Sequence, residues 1–225
     1  MSKIFLLDII MLSKLEIKPN KKINSESEIL TTNNEQGLAK INLPNSQMVL
    51  WQRRLLKDLK LWLNQLDLRC LPNLRVTTKP QELRSVMHSL FDDCGMPSTK
   101  MRSYLIEDIE KLVFLFSDII NNTQVDIRFE SLNHDGCWKF HQDSVEKRLI
   151  TTYLGPTTEW VKNQYAEQAL RSQREYQGPI EHFQPNEVGI FKGSRDSLGS
   201  GIVHRSPAIS ESGTTRLLLC LNKPL

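Results

Sequence analysis

The stretch Cys137-Trp138-Lys139-Phe140-His141-Gln142-Asp143 introduces the last third of the 225-residue chain and ends in a His-x-Asp pair. We interpret it as a strand, in which residues i and i+2 point to the same face of a sheet. His141 and Asp143 would then project side by side, and they are two of the three ligands that a 2-His-1-carboxylate iron site requires. Alone, such a pair is a frequent coincidence, so the interpretation depends on a second histidine.

The sequence around this stretch predicts a β-rich C-terminal part. Residues 125–131 alternate in polarity like a strand, and Asp135-Gly136 is a hairpin signal that leads into the stretch at 137–143. Four further strands are predicted at 148–154, 187–192, 201–206 and 215–221. No helix alternates regularly with these six strands, which disfavours a parallel sheet and favours an antiparallel sandwich or jelly roll. The polar insert at 161–177 is helix-compatible and is expected to act as a lid or substrate-selecting element.

The first half of the chain is predicted to hold three helices. The first is capped by Ser46 and carries apolar residues at helical spacing as far as Leu66. The second follows Pro80, and the third begins at Ser98 or Thr99. We therefore expect an α+β fold in which this helical half packs on a C-terminal double-stranded β-helix, a cupin-like jelly roll.

The expected domain organisation is one globular unit after a polar segment. Residues 1–45 are expected to be poorly ordered or extended, with short extended pieces at 29–32 and 38–41. Residues 46–121 form the helical part and residues 122–225 the β-helix part, and the two are expected to fold together. A chain of 225 residues is long enough to bury one sizeable core.

Composition limits the classes of partner and compartment. A formal net charge of +3 is too mild to indicate nucleic acid or a membrane surface. The apolar run at the N-terminus is interrupted by Asp8 and is too short to span a bilayer. The chain has no CxxC pair, which argues against a zinc ribbon or a dense disulfide framework, so a reducing cytoplasm is expected. The four cysteines are Cys70, Cys94, Cys137 and Cys220.

The second histidine is His204, which lies on a later predicted strand, and Arg216 follows it early in the final predicted strand. This order resembles the Fe(II)- and 2-oxoglutarate-dependent oxygenases. The resemblance implies a double-stranded β-helix in which His141, Asp143 and His204 hold the metal. It also implies that a basic residue on the last strand, here Arg216, binds the far carboxylate of 2-oxoglutarate.

The chemistry explains why these residue types are needed. Three protein ligands on one face of an octahedral iron leave three positions open for a 2-oxo acid and dioxygen. A buried arginine suits the remaining carboxylate, because its guanidinium donates two parallel hydrogen bonds. Thr214, Tyr153 and Arg148 are further candidates for this pocket; in a regular strand Arg148 and Tyr153 fall on opposite faces, and the sequence does not decide which of them faces the site. A surface or structural ion pair remains a competing interpretation of Arg216.

A second resemblance is carried by longer strings of sequence, which together resemble a family of bacterial proteins catalogued only as a domain of unknown function. The strings are Phe140-His-Gln-Asp143, Arg148-Leu-Ile-Thr-Thr-Tyr-Leu-Gly-Pro-Thr-Thr-Glu-Trp160, Phe191-Lys-Gly193 and His204-Arg-Ser-Pro207. The likeness extends from about Asn42 to the end, and Thr157 stands where such proteins often have glycine. Members of that family are often met near zinc-responsive and metal-chaperone genes, which keeps a role in metal homeostasis open.

Three hypotheses follow from the sequence. The leading one is an Fe(II)- and 2-oxoglutarate-dependent oxygenase that hydroxylates or demethylates an undefined substrate. The second is a non-catalytic cupin-like protein that binds zinc, because two histidines and an aspartate also suit that ion. The third is a structural β domain whose histidines are satisfied by hydrogen bonds. The partners expected under the first are a small-molecule cosubstrate and the substrate, with no membrane and no support for nucleic acid.

Overall fold

The computed structural model of the protein describes residues 28–196 and 201–224. Within these ranges the chain is a mixed α/β structure in which helices cover one face of a large sheet and a small sheet covers the other. The strands are β1 (Glu28–Thr32), β2 (Ser46–Trp51), β3 (Asn73–Thr78), β4 (Val125–Leu132), β5 (Lys147–Leu154), β6 (Glu159–Trp160), β7 (Glu181–His182), β8 (Val188–Lys192), β9 (His204–Arg205) and β10 (Arg216–Asn222). The α-helices are α1 (Lys57–Gln65), α2 (Leu83–Asp93), α3 (Lys100–Ile120) and α4 (Asn163–Ser172).

The strands form a large sheet and a small sheet. The large sheet has the order β1-β2-β8-β5-β10-β4-β3 and is antiparallel except between β1 and β2. The small sheet has the order β7-β6-β9, and an isolated bridge from His141 to His204 extends it beyond β9. When the bridge at His141 is counted as a position of the small sheet, the chain from β4 onward passes from one sheet to the other at each step except between β6 and β7.

The two faces of the large sheet bury different cores. In β5, Leu149 and Tyr153 face the helices and pack with α1, α2 and α3, whereas Ile150 faces the small sheet. The same alternation in β10 directs Leu219 to the helices and Cys220 to the small sheet. Residues with the parity of Ile150 and Cys220 therefore line the space between the two sheets.

The longest helix, α3, forms most of the helical layer. It begins after Thr99, whose hydroxyl accepts a hydrogen bond from the backbone N–H of Arg102 at 3.3 Å, as the sequence predicted. It ends at Asn121, which takes the left-handed conformation with φ of 48°. Ile109 and Phe116 on its buried face are fully covered by the large sheet and the neighbouring helices.

The first predicted helix starts too early, because Ser46–Trp51 is a strand. All six of its residues are buried, since β2 lies inside the large sheet between β1 and β8 and is packed on both faces. A short apolar run that is buried on both faces lacks the alternation of a half-buried strand, and periodicity cannot separate it from a helix. The helix itself, α1, begins at Lys57.

The strand predicted at Cys137–Asp143 is also wrong, because only His141 in it makes a β-bridge. The backbone N–H and C=O of Phe140 bond instead to the side chain of Gln173, at 2.9 and 3.0 Å. The predicted hairpin at Asp135 is wrong as well, because β4 pairs with β10 and β3. The carboxylate of Asp135 instead accepts hydrogen bonds from the backbone N–H groups of Ile209 and Ser210, in the loop before β10.

Most other predicted elements are confirmed. The helices α2 and α3 and the strands β4, β5, β8 and β10 lie close to their predicted bounds, and α4 occupies the polar insert. Of the two extended pieces expected near the N-terminus, residues 29–32 are in β1, whereas residues 38–41 lie in a 3-10 helix. The predictions for residues 1–27 lie outside the described residues, and the division into domains stays a prediction.

No helix in residues 28–196 and 201–224 is long and apolar enough to cross a membrane.

Candidate metal centre

Two histidines are brought face to face by the extra bridge on the small sheet. The backbone N–H of each of His141 and His204 donates to the carbonyl oxygen of the other, at 3.0 Å in both directions. Residues directly opposite in an antiparallel pair project to the same side. The two imidazole rings accordingly lie with their centroids 4.5 Å apart.

Asp143 completes a cluster with these histidines. Its Oδ1 lies 3.6 Å from Nε2 of His141, and its Oδ2 lies 3.3 Å from Nε2 of His204. Each of the three residues offers one ligand atom, and these atoms all lie within 4.8 Å of one another. Neighbouring ligands at about 2.1 Å from an octahedral ion are about 3 Å apart, so the separations observed are close to those of a metal site. These are the three residues that the sequence predicted as metal ligands.

The other ring nitrogens of the histidines are held by the backbone. Nδ1 of His141 lies 2.8 Å from the carbonyl oxygen of Lys139, and Nδ1 of His204 lies 3.2 Å from that of Ile202. A carbonyl oxygen only accepts, so the proton of each neutral ring is on Nδ1 and the lone pair is on Nε2. Such a contact fixes the tautomer and ring orientation that a metal-binding histidine needs.

The carboxylate of Asp143 is buried beside these nitrogens. Burial raises its pKa, but His141, His204 and the guanidinium of Arg148 outweigh that effect and hold the pKa well below its usual range. The same interaction raises the pKa of His141. Within the described residues, Asp143 Oδ2 has no hydrogen-bond partner of acceptable geometry. A buried anionic oxygen without a partner, next to two nitrogen lone pairs, fits a divalent cation.

Arg148 fixes the orientation of the Asp143 carboxylate. Its Nη1 donates to Asp143 Oδ1 at 2.6 Å, and its Nε donates to Asn222 Oδ1 at 2.7 Å. Asn222 in turn donates to Asp126 Oδ2 at 3.0 Å, so strands β4, β10 and β5 all support the carboxylate of Asp143. The sequence placed Arg148 on the face opposite Tyr153, and this is confirmed.

The backbone of Asp143 is fixed by the turn after β8. The backbone N–H of Ser194 donates to the carbonyl oxygen of Asp143 at 2.8 Å, and that of Gly193 donates to Glu146. A Cβ on Gly193 would lie 2.2 Å from the carbonyl oxygen of Val145 and 2.7 Å from that of Asp143. Only glycine permits this close approach, which explains the Lys-Gly string noted in the sequence.

Arg216, the first residue of β10, is a buried cation in the same interior. Its side chain points between the sheets, and the residue is 1% exposed. The guanidinium donates to three neutral acceptors: Pro156 O at 2.7 Å, Ser206 Oγ at 3.1 Å and Thr158 Oγ1 at 3.3 Å. No carboxylate in the described part of the chain lies within ion-pair distance of it. The ion pair considered as an alternative for Arg216 is therefore not observed there.

The charge of Arg216 is maintained despite its burial. Burial lowers its pKa to about 10, so the guanidinium remains protonated at neutral pH. A buried charge without a counterion is costly, and a bound anion would remove that cost. Gly155 brings the turn before β6 against this strand, because a Cβ there would lie 2.3 Å from Thr215 O.

Two of the other residues proposed for the cosubstrate lie elsewhere. Tyr153 faces the helices, and its hydroxyl donates to Asp108 Oδ2 at 2.6 Å, so its assignment to the pocket is wrong. Thr214 precedes β10 in a turn and is half-buried, and its backbone N–H donates to Ser212 Oγ at 3.2 Å. One of the two hydroxyls that contact Arg216 comes from Thr158, directly before β6, which sequence reasoning missed although it lies in one of the quoted strings.

The insert that contains α4 does not cover the metal ligands. It packs on the outer face of the small sheet through Phe140, Val161 and Val203. Its residue Gln173 holds the backbone of Phe140, which directly precedes a metal-ligand candidate. The lid expected from the sequence is therefore a support behind the site.

Comparison with known proteins places the chain in a family without assigned chemistry. The family described as "Protein of unknown function (DUF1826)" matches residues 32–222, and the chain belongs to it. This confirms the membership of a family of unknown function that the sequence strings indicated. No curated protein matches the chain. Among solved structures, a prolyl-4-hydroxylase of Pseudomonas putida is similar, at 9% identity over 76% of this chain and 94% of that chain, with a TM-score of 0.34.

Proposed function

We propose that this protein is an Fe(II)- and 2-oxoglutarate-dependent oxygenase that hydroxylates or demethylates its substrate. The proposal includes the fold, a double-stranded β-helix whose two sheets enclose the site. The strand order supports it, because β8-β5-β10-β4 faces β9-β6-β7 and the chain passes repeatedly between the two sheets. The bridge at His141 occupies the remaining strand position of the small sheet.

The observation that carries the proposal is the buried, unpaired guanidinium of Arg216 in the interior that also holds the histidine cluster. A metal site alone does not require a buried cation. A dicarboxylate that binds the metal with one end and the guanidinium with the other uses both features. Bidentate pairing with a carboxylate would satisfy the charge that three neutral acceptors leave uncompensated.

The residues divide into two groups by role. His141, Asp143 and His204 would hold the ferrous ion, and Arg148 orients the aspartate through its contact with Oδ1. Arg216 would bind the far carboxylate of 2-oxoglutarate. When both are bound, ferrous iron and the 2-oxo acid supply the oxidising chemistry by which dioxygen is activated.

Apolar side chains line the His204 side of this site. The ring of Phe191 lies 4.9 Å from that of His204, and Met48, Ile150 and Ile202 are buried beside it. Removal of water strengthens the attraction between buried charges and protects reactive species from side reactions. An apolar wall around a polar ligand set is therefore suited to oxidation.

The test is anaerobic reconstitution. Protein loaded with Fe(II) under argon is titrated with 2-oxoglutarate by calorimetry, and succinate is then measured after oxygen is admitted. We expect 2-oxoglutarate to bind only in the presence of metal and to be consumed slowly even without the substrate. Absence of both binding and consumption would contradict the proposal.

A zinc-binding protein without catalysis is the second candidate. The observation that favours it is the ligand set itself, because two neutral imidazoles and a carboxylate also suit zinc. This candidate does not explain why Arg216 is buried. Metal analysis of the protein as purified distinguishes the two, together with His204→Ala: zinc that is lost in the variant, with no binding of 2-oxoglutarate by the wild type, would favour this candidate.

A further inference from the structure

Trp160, the second residue of β6, carries a buried polar atom that the fold leaves unused. The residue is 5% exposed, and its ring packs between the two sheets with Ile150, Phe191 and Ile202. Within the described residues, its indole Nε1–H is buried and has no hydrogen-bond acceptor. Buried tryptophan usually finds a partner for this group, since an unpaired donor is costly.

Core packing explains the ring but not the N–H. A phenylalanine would also fill apolar space between the sheets and would bury no donor. The indole nitrogen is therefore the part of Trp160 that needs an explanation, and an acceptor absent from the chain provides one.

The position of Trp160 relates it to both ends of the proposed ligand site. It is directly opposite His204 in the antiparallel pair of β6 and β9, so both side chains project into the space between the sheets. Thr158 lies two residues earlier and points to the same side, where its hydroxyl accepts a hydrogen bond from Arg216. From Thr158 to Trp160 the chain thus runs from the guanidinium of Arg216 towards the histidine cluster. The unpaired indole donor belongs to the residue beside His204.

We propose that the indole N–H of Trp160 donates a hydrogen bond to an oxygen at the metal end of a bound 2-oxo dicarboxylate. Trp160 is then a cosubstrate-binding residue, which no comparison assigns. The inference rests on the proposed function, because the acceptor belongs to the anion that Arg216 would hold. Arg216 supplies charge at one end, and the directional indole donor fixes the orientation of the other.

Calorimetry on three proteins tests this role by binding rather than by turnover. Wild type, Trp160→Phe and Trp62→Phe are loaded with Fe(II) under argon and titrated with 2-oxoglutarate. Trp62 lies on α1, on the other side of the large sheet, and controls for the loss of an indole. We expect Trp160→Phe to weaken binding roughly tenfold to a hundredfold, because the acceptor is charged, and Trp62→Phe to leave it unchanged. Metal affinity should be equal in all three.

The outcomes separate this inference from the proposed function. Wild-type affinity in Trp160→Phe overturns the role of the indole, while the proposed function stands if Arg216→Met still weakens binding. Failure of the wild type to bind 2-oxoglutarate overturns both. Loss of metal from Trp160→Phe also overturns the inference, because the residue would then support the fold of the metal site.

A second measurement on the wild type does not depend on the folding of the variant. The chain has four tryptophans, so a ¹H–¹⁵N spectrum of zinc-loaded protein contains four indole signals, which single Trp→Phe substitutions assign. We expect 2-oxoglutarate to move the Trp160 proton downfield, as hydrogen bonding to a carboxylate requires. An unmoved Trp160 signal at saturating 2-oxoglutarate would overturn the inference.

Discussion

The two faces of strand β5 each bury an arginine, and the two arginines are satisfied in different ways. On the helical face, Arg53 forms an ion pair with Asp108 and donates to Asn186 O, and Tyr153 bonds to the same carboxylate. On the other face, Arg216 finds only neutral acceptors. A buried charge whose counterion is part of the chain belongs to the scaffold, whereas one without a counterion indicates a ligand.

The pKa shifts of the two arginines agree with this difference in their contacts. Burial lowers the pKa of Arg53, but Tyr153 and Asp108 outweigh it and the net pKa is raised. Burial dominates for Arg216, and its pKa is lowered. Arg53 thus has its counterion within the chain, whereas Arg216 has hydrogen bonds to neutral acceptors and no ion pair within the described residues.

The same substitution at the two positions should have very unequal consequences for the free energy of unfolding. Arg53→Met leaves Asp108 buried without its cation and should lower the free energy of unfolding by about 3–5 kcal/mol. Arg216→Met loses three hydrogen bonds to neutral acceptors but also removes a buried charge that forms no ion pair, so we expect the two effects to offset one another to within about 1 kcal/mol. Urea denaturation of ligand-free protein measures both. Equal losses would show that the two arginines are both structural.

For the binding of 2-oxoglutarate, by contrast, we expect Arg216 to be essential. Arg216→Met should weaken 2-oxoglutarate about 100-fold, or about 2.7 kcal/mol, because a charge-assisted pair with the far carboxylate is lost. Arg205→Met is the matched control, since Arg205 is paired with Glu159 at 2.6 Å on the outer face of the small sheet. Calorimetry on Fe(II)-loaded protein checks both, and an equal loss in the control would refute a specific anion pocket.

Gly193→Ala should disturb the proposed metal site through the backbone of Asp143, without replacing any of the three candidate ligand side chains. A Cβ at this position collides with the carbonyl oxygens of Val145 and Asp143, so the loop that carries the aspartate must shift. We expect metal affinity to fall about tenfold, or about 1.4 kcal/mol, with little change in the helical layer. Competition with a fluorescent chelator measures the affinity. The control is Gly136→Ala, because its nearest contact is 3.4 Å away on an exposed turn.

The smallest effect concerns pH. The pKa of His141 is raised in the metal-free protein, so this group stabilises the fold below the unfolded pKa of about 6.5, and that contribution is lost as pH rises through the folded pKa. Metal binding displaces the same proton, so affinity should rise with pH across this window. Thermal unfolding at pH 6 and pH 8 should therefore show opposite trends with and without metal, and parallel trends would exclude His141 as a ligand.

Which parts of the site could be found from sequence depends on whether local periodicity determines them. The alternation in β5 correctly separates Arg148 from Tyr153, whereas His141 and Asp143 were found by their spacing although Asp143 lies in a loop and not on the predicted strand. The choice of Tyr153 for the pocket failed because periodicity shows which residues share a face, but not which face meets the metal.

The non-local parts could not be predicted for a physical reason. Thr158 approaches Arg216 only because the turn at Gly155 brings two distant segments together. The register between β5 and β10 shifts at Leu217, so residue counting alone does not place side chains at that end of the sheet. Strand β2 was hidden because both of its faces are buried, Val49 and Trp51 in the helical core and Met48 and Leu50 in the core between the sheets.

The amide of Gln173 has a consequence beyond the site. The Gln173 side chain bonds to both the N–H and the C=O of Phe140 and so caps the edge of the small sheet next to the bridge at His141. An uncapped edge offers those groups to a strand from another molecule, which is a common route to self-association. One side chain thereby leaves Phe140 without a free backbone group for intermolecular β-pairing, directly beside His141.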